Sequence, residues 1–242
     1  MSVPLCLWSG PRNISTAMMR SFSARADTQV WDEPFCGAFL AAIPDDYPDR
    51  EVTTAKWETD PDIVARRCLA PVGADYHFQK HMSHHILPGF PLEWAAEARH
   101  VFILRHPARV IASYSRGRPD FRPEHIGFAG LRDLHASIAG LTGREPLVVD
   151  TDAFLSAPEP HLRLICETGF GIPFDPAMLS WEAGPRPEDG PWAPWWYAGV
   201  EASTGFGPPP GDLPEVAPRY RDIYERVMPD YEALAAKAAA PA

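Results

Sequence analysis

The strongly apolar positions of this chain fall into five short, unbroken runs: Val3–Trp8, Thr28–Trp31, Tyr76–Gln79, His100–Leu104 and Pro146–Val149. None alternates as a half-exposed strand would, and each is too short for a buried helix, so the runs predict strands covered on both faces. Between them apolar residues return at helical spacing over Ser15–Arg25, Asp60–Leu69, Pro107–Ser115 and Phe128–Leu141. A further helix is expected over Pro158–Thr168, ending at Gly169, and a last one over Pro218–Lys237, broken near Pro229. Strands taking turns with helices predict an α/β fold around a central parallel sheet. The Asp-, Pro- and Tyr-rich stretch Ile43–Thr54 reads as an exposed loop.

Trp181–Pro218 has no clear period, yet it carries Trp181, Trp192, Trp195 and Trp196 among many Pro and Gly residues. Disordered chains are poor in aromatics, so this long segment reads as a lid packed across a site. At 242 residues the chain is expected to form one domain, 1–242, with 180–217 as the lid loop.

Composition narrows the partners. A net charge of −10 argues against a surface built for nucleic acid or another polyanion, although a few focused arginines can still hold a small anion. The four cysteines lie far apart without a C-x-x-C pair, as reduced core residues would. No apolar run approaches ~18 residues, and the first strand starts by about Val3. The expectation is a cytoplasmic protein with a small-molecule partner, no nucleic acid and no membrane, with a homodimer possible.

Chemistry concentrates in Leu5–Phe22, LCLWSGPRNISTAMMRSF. The apolar run breaks at Ser9-Gly10-Pro11, and the helical pattern starts just after Arg12, Asn13, Ser15 and Thr16. A strand, a tight turn and a helix start aim backbone N–H groups and the positive end of a helix dipole at one spot, which suits phosphate or sulfate. The G-x-x-x-x-G-K-[ST] pattern is absent, since its second Gly and its Lys are missing. About ninety residues on, the strand His100–Leu104 is followed by Arg105-His106-Pro107, five further residues and Ser113.

This ordered pair, strand–PR–x–x–[ST]-T–helix and then strand–R–[ND]–P–five residues–S with His106 in the middle position, resembles the signature of sulfotransferases that use 3′-phosphoadenosine 5′-phosphosulfate (PAPS). The resemblance spans Val3 to about Phe174, including Pro146–Phe174, and matches more weakly at Gly190–Trp196, where the family's lid lysine is missing. It implies an α/β fold with a P-loop-type central parallel sheet flanked by helices and a Trp/Pro-rich C-terminal lid. It implies that Arg12, Asn13, Ser15 and Thr16 grip the 5′-phosphosulfate, with Arg12 at the reacting end. Arg105 and Ser113 would hold the 3′-phosphate, and Trp192 of the lid would contact the nucleotide. PAPS is then the donor substrate, with no metal required and a hydroxyl or amine as acceptor.

Two segments supply candidates for the proton acceptor. Glu33 follows the second strand, at the sheet edge where the anion loop lies, and apolar neighbours would bring it toward neutrality; Asp32 is its near twin. Either could instead cap a helix or pair with an arginine. The second segment is Lys80-His81-Met82-Ser83-His84-His85, where the family has a lysine at the leaving group and a histidine base. If the strand continues through it, Lys80 and His81 face opposite ways, which leaves His81 or His84 open as the histidine in the site. His77, His81 and His85 are four apart, but a strand removes the shared helical face that zinc binding would use. Two other readings compete: a small-molecule kinase using ATP and magnesium, with Asp32 on the metal, and a family member that binds nucleotide without catalysis.

Overall fold

The computed structural model describes residues 2–45, 47 and 49–241. Among the described residues there are five strands: β1 (Val3–Ser9), β2 (Thr28–Asp32), β3 (Tyr76–Met82), β4 (Arg99–Leu104) and β5 (Leu147–Asp150). They form one sheet in the order β2-β3-β1-β4-β5, and every pairing is parallel. The first helices are α1 (Ser15–Ser23), α2 (Cys36–Ala42), α3 (Arg50–Lys56), α4 (Pro61–Cys68) and α5 (Pro107–Tyr114).

Both faces of the sheet are buried, as the unbroken apolar runs require. Leu5 and Leu7 pack with Met18, Met19 and Phe22 of α1 and with Phe78, Val101, Ile103 and Val149. On the other face Cys6, Trp8, Phe102 and Val148 pack against α4, α5 and the helices Phe128–Thr142 and Arg221–Ala235. All four cysteines are buried and unpaired. Among the described residues no helix is long and apolar enough to cross a membrane.

Three expectations are corrected. The helix after β5 does not stop at Gly169: it widens into π-type turns over Leu164–Phe170 and ends at Gly171, whose φ is 62°. Gly169 is a packing glycine, since a Cβ there would lie 2.5 Å from Val101 Cγ2. Nor does Pro229 break the last helix, which runs through it with Val227 and Leu234 buried on either side. Finally, Ile43–Thr54 is not wholly an exposed loop. Its end forms α3, and Asp49 and Thr53 are buried. The Arg50 guanidinium gathers the carbonyls of Leu40, Ile43 and Asp45, which ties this segment to the end of α2. Asp46 and Pro48 of that stretch lie outside the described residues.

Candidate active site

The loops leaving the carboxyl ends of β1 to β4 surround one cavity of about 380 Å³, the place where parallel sheets bind ligands. Of the expected site residues, Arg12, Asn13, Ser15, Thr16, Glu33, Lys80, Arg105, Ser113 and Trp192 line it, with His84 beside them. His81 and Asp32, the near twin of Glu33, do not.

The β1–α1 turn is held under strain. Arg12 and Ile14 adopt φ of 58° and 50°, as does Glu33 at 42° on the next loop, a region side-chain-bearing residues rarely enter. Cross-links from the sheet hold the turn. Asn13 Nδ2 donates to Ile103 O at 2.7 Å, and Arg105 Nη1 donates to Arg12 O at 2.6 Å. α1 then starts at Ser15 without a side-chain cap, so its first amides are open toward the cavity.

Arginines dominate this end. Arg12 Nε donates to Ser113 Oγ at 3.0 Å and Arg12 Nη1 to Trp196 O at 3.0 Å. The Arg12 side chain, expected at the reacting end, is therefore bonded to the residue expected on the 3′-phosphate. Burial pushes Arg12 below the ordinary arginine range, with Arg116 adding to it. Burial does the same to Arg105, where Asp152 opposes it and Arg109, Arg12 and Arg116 reinforce it. Arg105 Nε is buried and has no partner among the described residues. Clustered, desolvated guanidinium groups of this kind call for an anion.

The other end is built on Lys80. The strand continues through Met82, so Lys80 faces the cavity and His81 faces away. His81 is buried on the far face of the sheet, stacked on Trp8 at 4.3 Å and bonded through Nε2 to Gln79 Oε1 at 3.1 Å. A group in that place cannot reach a substrate in the cavity, and the expected catalytic role of His81 is corrected on that ground. Asp32 pairs in register with Lys80 across β2 and β3, which puts both side chains on one face. Lys80 Nζ donates to Asp32 Oδ1 at 2.7 Å, Glu33 Oε1 at 2.7 Å and Tyr197 Oη at 2.5 Å, with Thr16 Oγ1 at 3.4 Å. Burial raises the Glu33 carboxyl to about 7, opposed by Lys80 and reinforced by Asp32. Lys80 is held above its ordinary range by Asp32 and Glu33 against its own burial.

His84 and His85 also line the cavity. Burial lowers His84 to about 3 and holds His85 well below its usual value, so both are neutral imidazoles. His85 Nδ1 lies 3.8 Å from Glu33 Oε2. With Cys36 these two place three potential metal-ligating atoms within 4.8 Å of one another. Burial and the Glu33 charge hold the Cys36 thiol protonated, and Lys80 already occupies Glu33 Oε1. His77, His81 and His85 share no site, because β3 puts His77 and His81 on the face away from His85.

The lid residues close the cavity through contacts that local spacing does not mark. Tyr197 Oη donates to Asp32 Oδ2 at 2.7 Å and accepts from Trp192 Nε1 at 2.9 Å; the tyrosine and aspartate are 165 positions apart. Gly190 N donates to the same Asp32 oxygen at 3.0 Å, and Arg20 of α1 binds Asp189 at 2.7 Å. Trp192 forms a buried wall, edge-on to Trp57 at 5.4 Å, and Trp196 stacks on Tyr114 at 5.8 Å.

Comparison with known proteins identifies the family and the fold. A family model described as "Sulfotransferase domain" matches residues 3–238. Two Arabidopsis thaliana proteins, branched-chain-amino-acid aminotransferase-like proteins 1 and 2, are each 37% identical over 229 residues, 94% of this chain. The chain spans 40% of the length of each. A sulfotransferase from Alicyclobacillus acidocaldarius has a similar fold, with a TM-score of 0.53 at 12% identity, covering 99% of this chain and 98% of that one. With a family model matching almost its whole length, the chain belongs to the sulfotransferase domain family.

Proposed function

We propose that this protein transfers a sulfuryl group from PAPS to a hydroxyl or amine of a small-molecule acceptor. The observation that carries the reading is one cavity with two chemically distinct ends, an arginine cluster and a lysine–carboxylate pair, around an uncapped helix start. Arg12, Arg105 and Ser113 together suit the 3′-phosphate, while Ser15, Thr16 and the first amides of α1 suit the 5′ group. Asn13 contributes by holding the turn, since its amide is spent on Ile103.

In the transfer, the acceptor oxygen or nitrogen forms a bond to sulfur as the bridging bond from sulfur to the 5′-phosphate oxygen breaks. Lys80 is placed to neutralise charge on that departing oxygen, and Glu33, close to half ionised near neutrality, takes the acceptor proton. Positioning and electrostatics carry the rest, by analogy with phosphoryl transfer. The kinase reading needs Asp32 on magnesium. Asp32 is fully buried, and its oxygens are engaged by Lys80, Tyr197 and Gly190.

Titration calorimetry with 3′-phosphoadenosine 5′-phosphate and, separately, ATP with magnesium tests the proposal. The first should bind tightly and the second far more weakly. Tight ATP binding without preference for the 3′-phosphate would overturn it, and donor binding with no turnover across a broad acceptor panel would leave a nucleotide-binding protein.

A further inference from the structure

The donor reading leaves part of the cavity unused. Past Glu33, on the side of α2 and α3, its wall is formed by Phe39, Leu40, Tyr47, Asp49 and Val200. Asp49 is only 3% exposed. Its Oδ2 accepts from Thr53 Oγ1 at 3.3 Å, while Oδ1, also buried, has no partner among the described residues. Asp49 stands at the N-cap position of α3, yet its side chain caps none of that helix's amides. The usual structural reason for an aspartate there is thus missing.

Nor does a neighbouring cation answer it. Among the described residues no ion pair to Asp49 forms. Arg50 is turned to backbone carbonyls, Lys80 is held by Asp32 and Glu33, and Arg118 lies over the Tyr47 ring at 4.3 Å. Burial raises the Asp49 carboxyl, as a carboxylate without a counter-charge requires. A buried carboxylate with a free oxygen is unfavourable until a donor reaches it. Around it, aromatic faces suit a cation and aliphatic side chains suit methylenes.

We infer that the acceptor carries an ammonium group as well as its reacting hydroxyl, with the ammonium on Asp49 Oδ1 and the hydroxyl at Glu33. The inference rests on the sulfuryl-transfer reading. The cavity is thereby polarised, with arginines for the anionic donor at one end and carboxylates for a cationic acceptor at the other.

The test uses two phenols of nearly equal shape, tyramine and 4-propylphenol, the second carrying a methyl where the first has its ammonium. Calorimetry on the protein saturated with 3′-phosphoadenosine 5′-phosphate should give tyramine a preference of roughly ten- to a hundredfold, the worth of one charge-assisted contact. Asp49→Asn should abolish that preference and leave 4-propylphenol affinity unchanged. Equal or weaker binding of tyramine to the wild-type protein overturns the inference, whether or not the variant folds. So does binding of neither phenol, or a preference that survives Asp49→Asn. The nucleotide titration alone reports on the donor reading, and if it fails, tyramine titrated into the unliganded protein still decides whether Asp49 binds an ammonium.

Discussion

Replacing Glu33 by glutamine keeps the shape of the side chain and removes its capacity to take a proton. Burial moves this carboxyl from 4.5 to about 7 in the folded protein. At ~1.4 kcal/mol per pH unit, ionising it in place of an unfolded-chain glutamate is unfavourable by about 3 kcal/mol. The folded state holds this proton more tightly than the unfolded chain does. Its contribution to stability is therefore complete below pH 4.5 and lost as pH rises through about 7. Glu33→Gln lacks this titration, so between those limits its unfolding free energy should gain on the wild type by about 3 kcal/mol. Catalysis should move the opposite way. Wild-type kcat/KM, which reports the free protein, should rise with pH along a limb centred near 7, and the variant should lose both that limb and ~10²–10⁴-fold in kcat. Affinity for 3′-phosphoadenosine 5′-phosphate should stay within a few fold. Denaturant melts and initial rates across pH measure both effects. A variant within a few fold of the wild type in kcat, or one that keeps the acid limb, refutes Glu33 as the base.

Arg105→Ala should weaken binding of 3′-phosphoadenosine 5′-phosphate by roughly ten- to a hundredfold while kcat at saturating donor changes little, because the 3′-phosphate is remote from sulfur. Arg12→Ala should behave in the same way, since Arg12 is bonded to Ser113; donor titration and saturation kinetics read both. His81→Ala should lower stability by about 2–4 kcal/mol through the cavity left beside Trp8, with kcat within a few fold at temperatures where the variant is folded.

Much of the fold was legible because both faces of the sheet are covered, and a strand so placed must be apolar throughout. The same logic fails at the end of β3. The apolar run stops at Gln79, but the strand continues to Met82, because Lys80 and His81 are buried with partners supplied from elsewhere. Alternation along the strand then settles what local spacing left open, with Lys80 toward the cavity and His81 away. That the loops after β1 and β4 share one cavity could be read because each combines a strand end, a turn and a helix start within a few residues. Tyr197, Asp189 and Asp49 could not. Their roles depend on Asp32, Arg20 and an unfilled oxygen, which meet them only after the lid and α3 have packed. Glycines misled where two physical reasons for glycine compete: Gly169 makes room for Val101, and Gly171 supplies the left-handed turn.

The contacts of Lys80 carry a consequence for the order of events. An ammonium has three N–H groups, and in the protein alone these serve Asp32, Glu33 and Tyr197, with Thr16 at longer range. A donor phosphate reaching Lys80 must take one of them. Asp32 is fully buried and also bound by Gly190 and Tyr197, whereas Glu33 is the more exposed carboxylate, so the contact to Glu33 is the cheapest to give up. Lys80 is what lowers the Glu33 carboxyl against its burial. Weakening that contact, and adding donor charge nearby, both raise the carboxyl further and make Glu33 a stronger base once the donor is bound. Binding of 3′-phosphoadenosine 5′-phosphate slightly above neutral pH should therefore draw a fraction of a proton onto Glu33. Calorimetry in buffers of different ionisation enthalpy measures this uptake. The nucleotide's own phosphates release or take protons as well, but they do so equally in Glu33→Gln, so the difference between the two proteins isolates Glu33. Equal proton uptake by wild type and variant would show that Lys80 keeps its hold on Glu33 when the donor arrives.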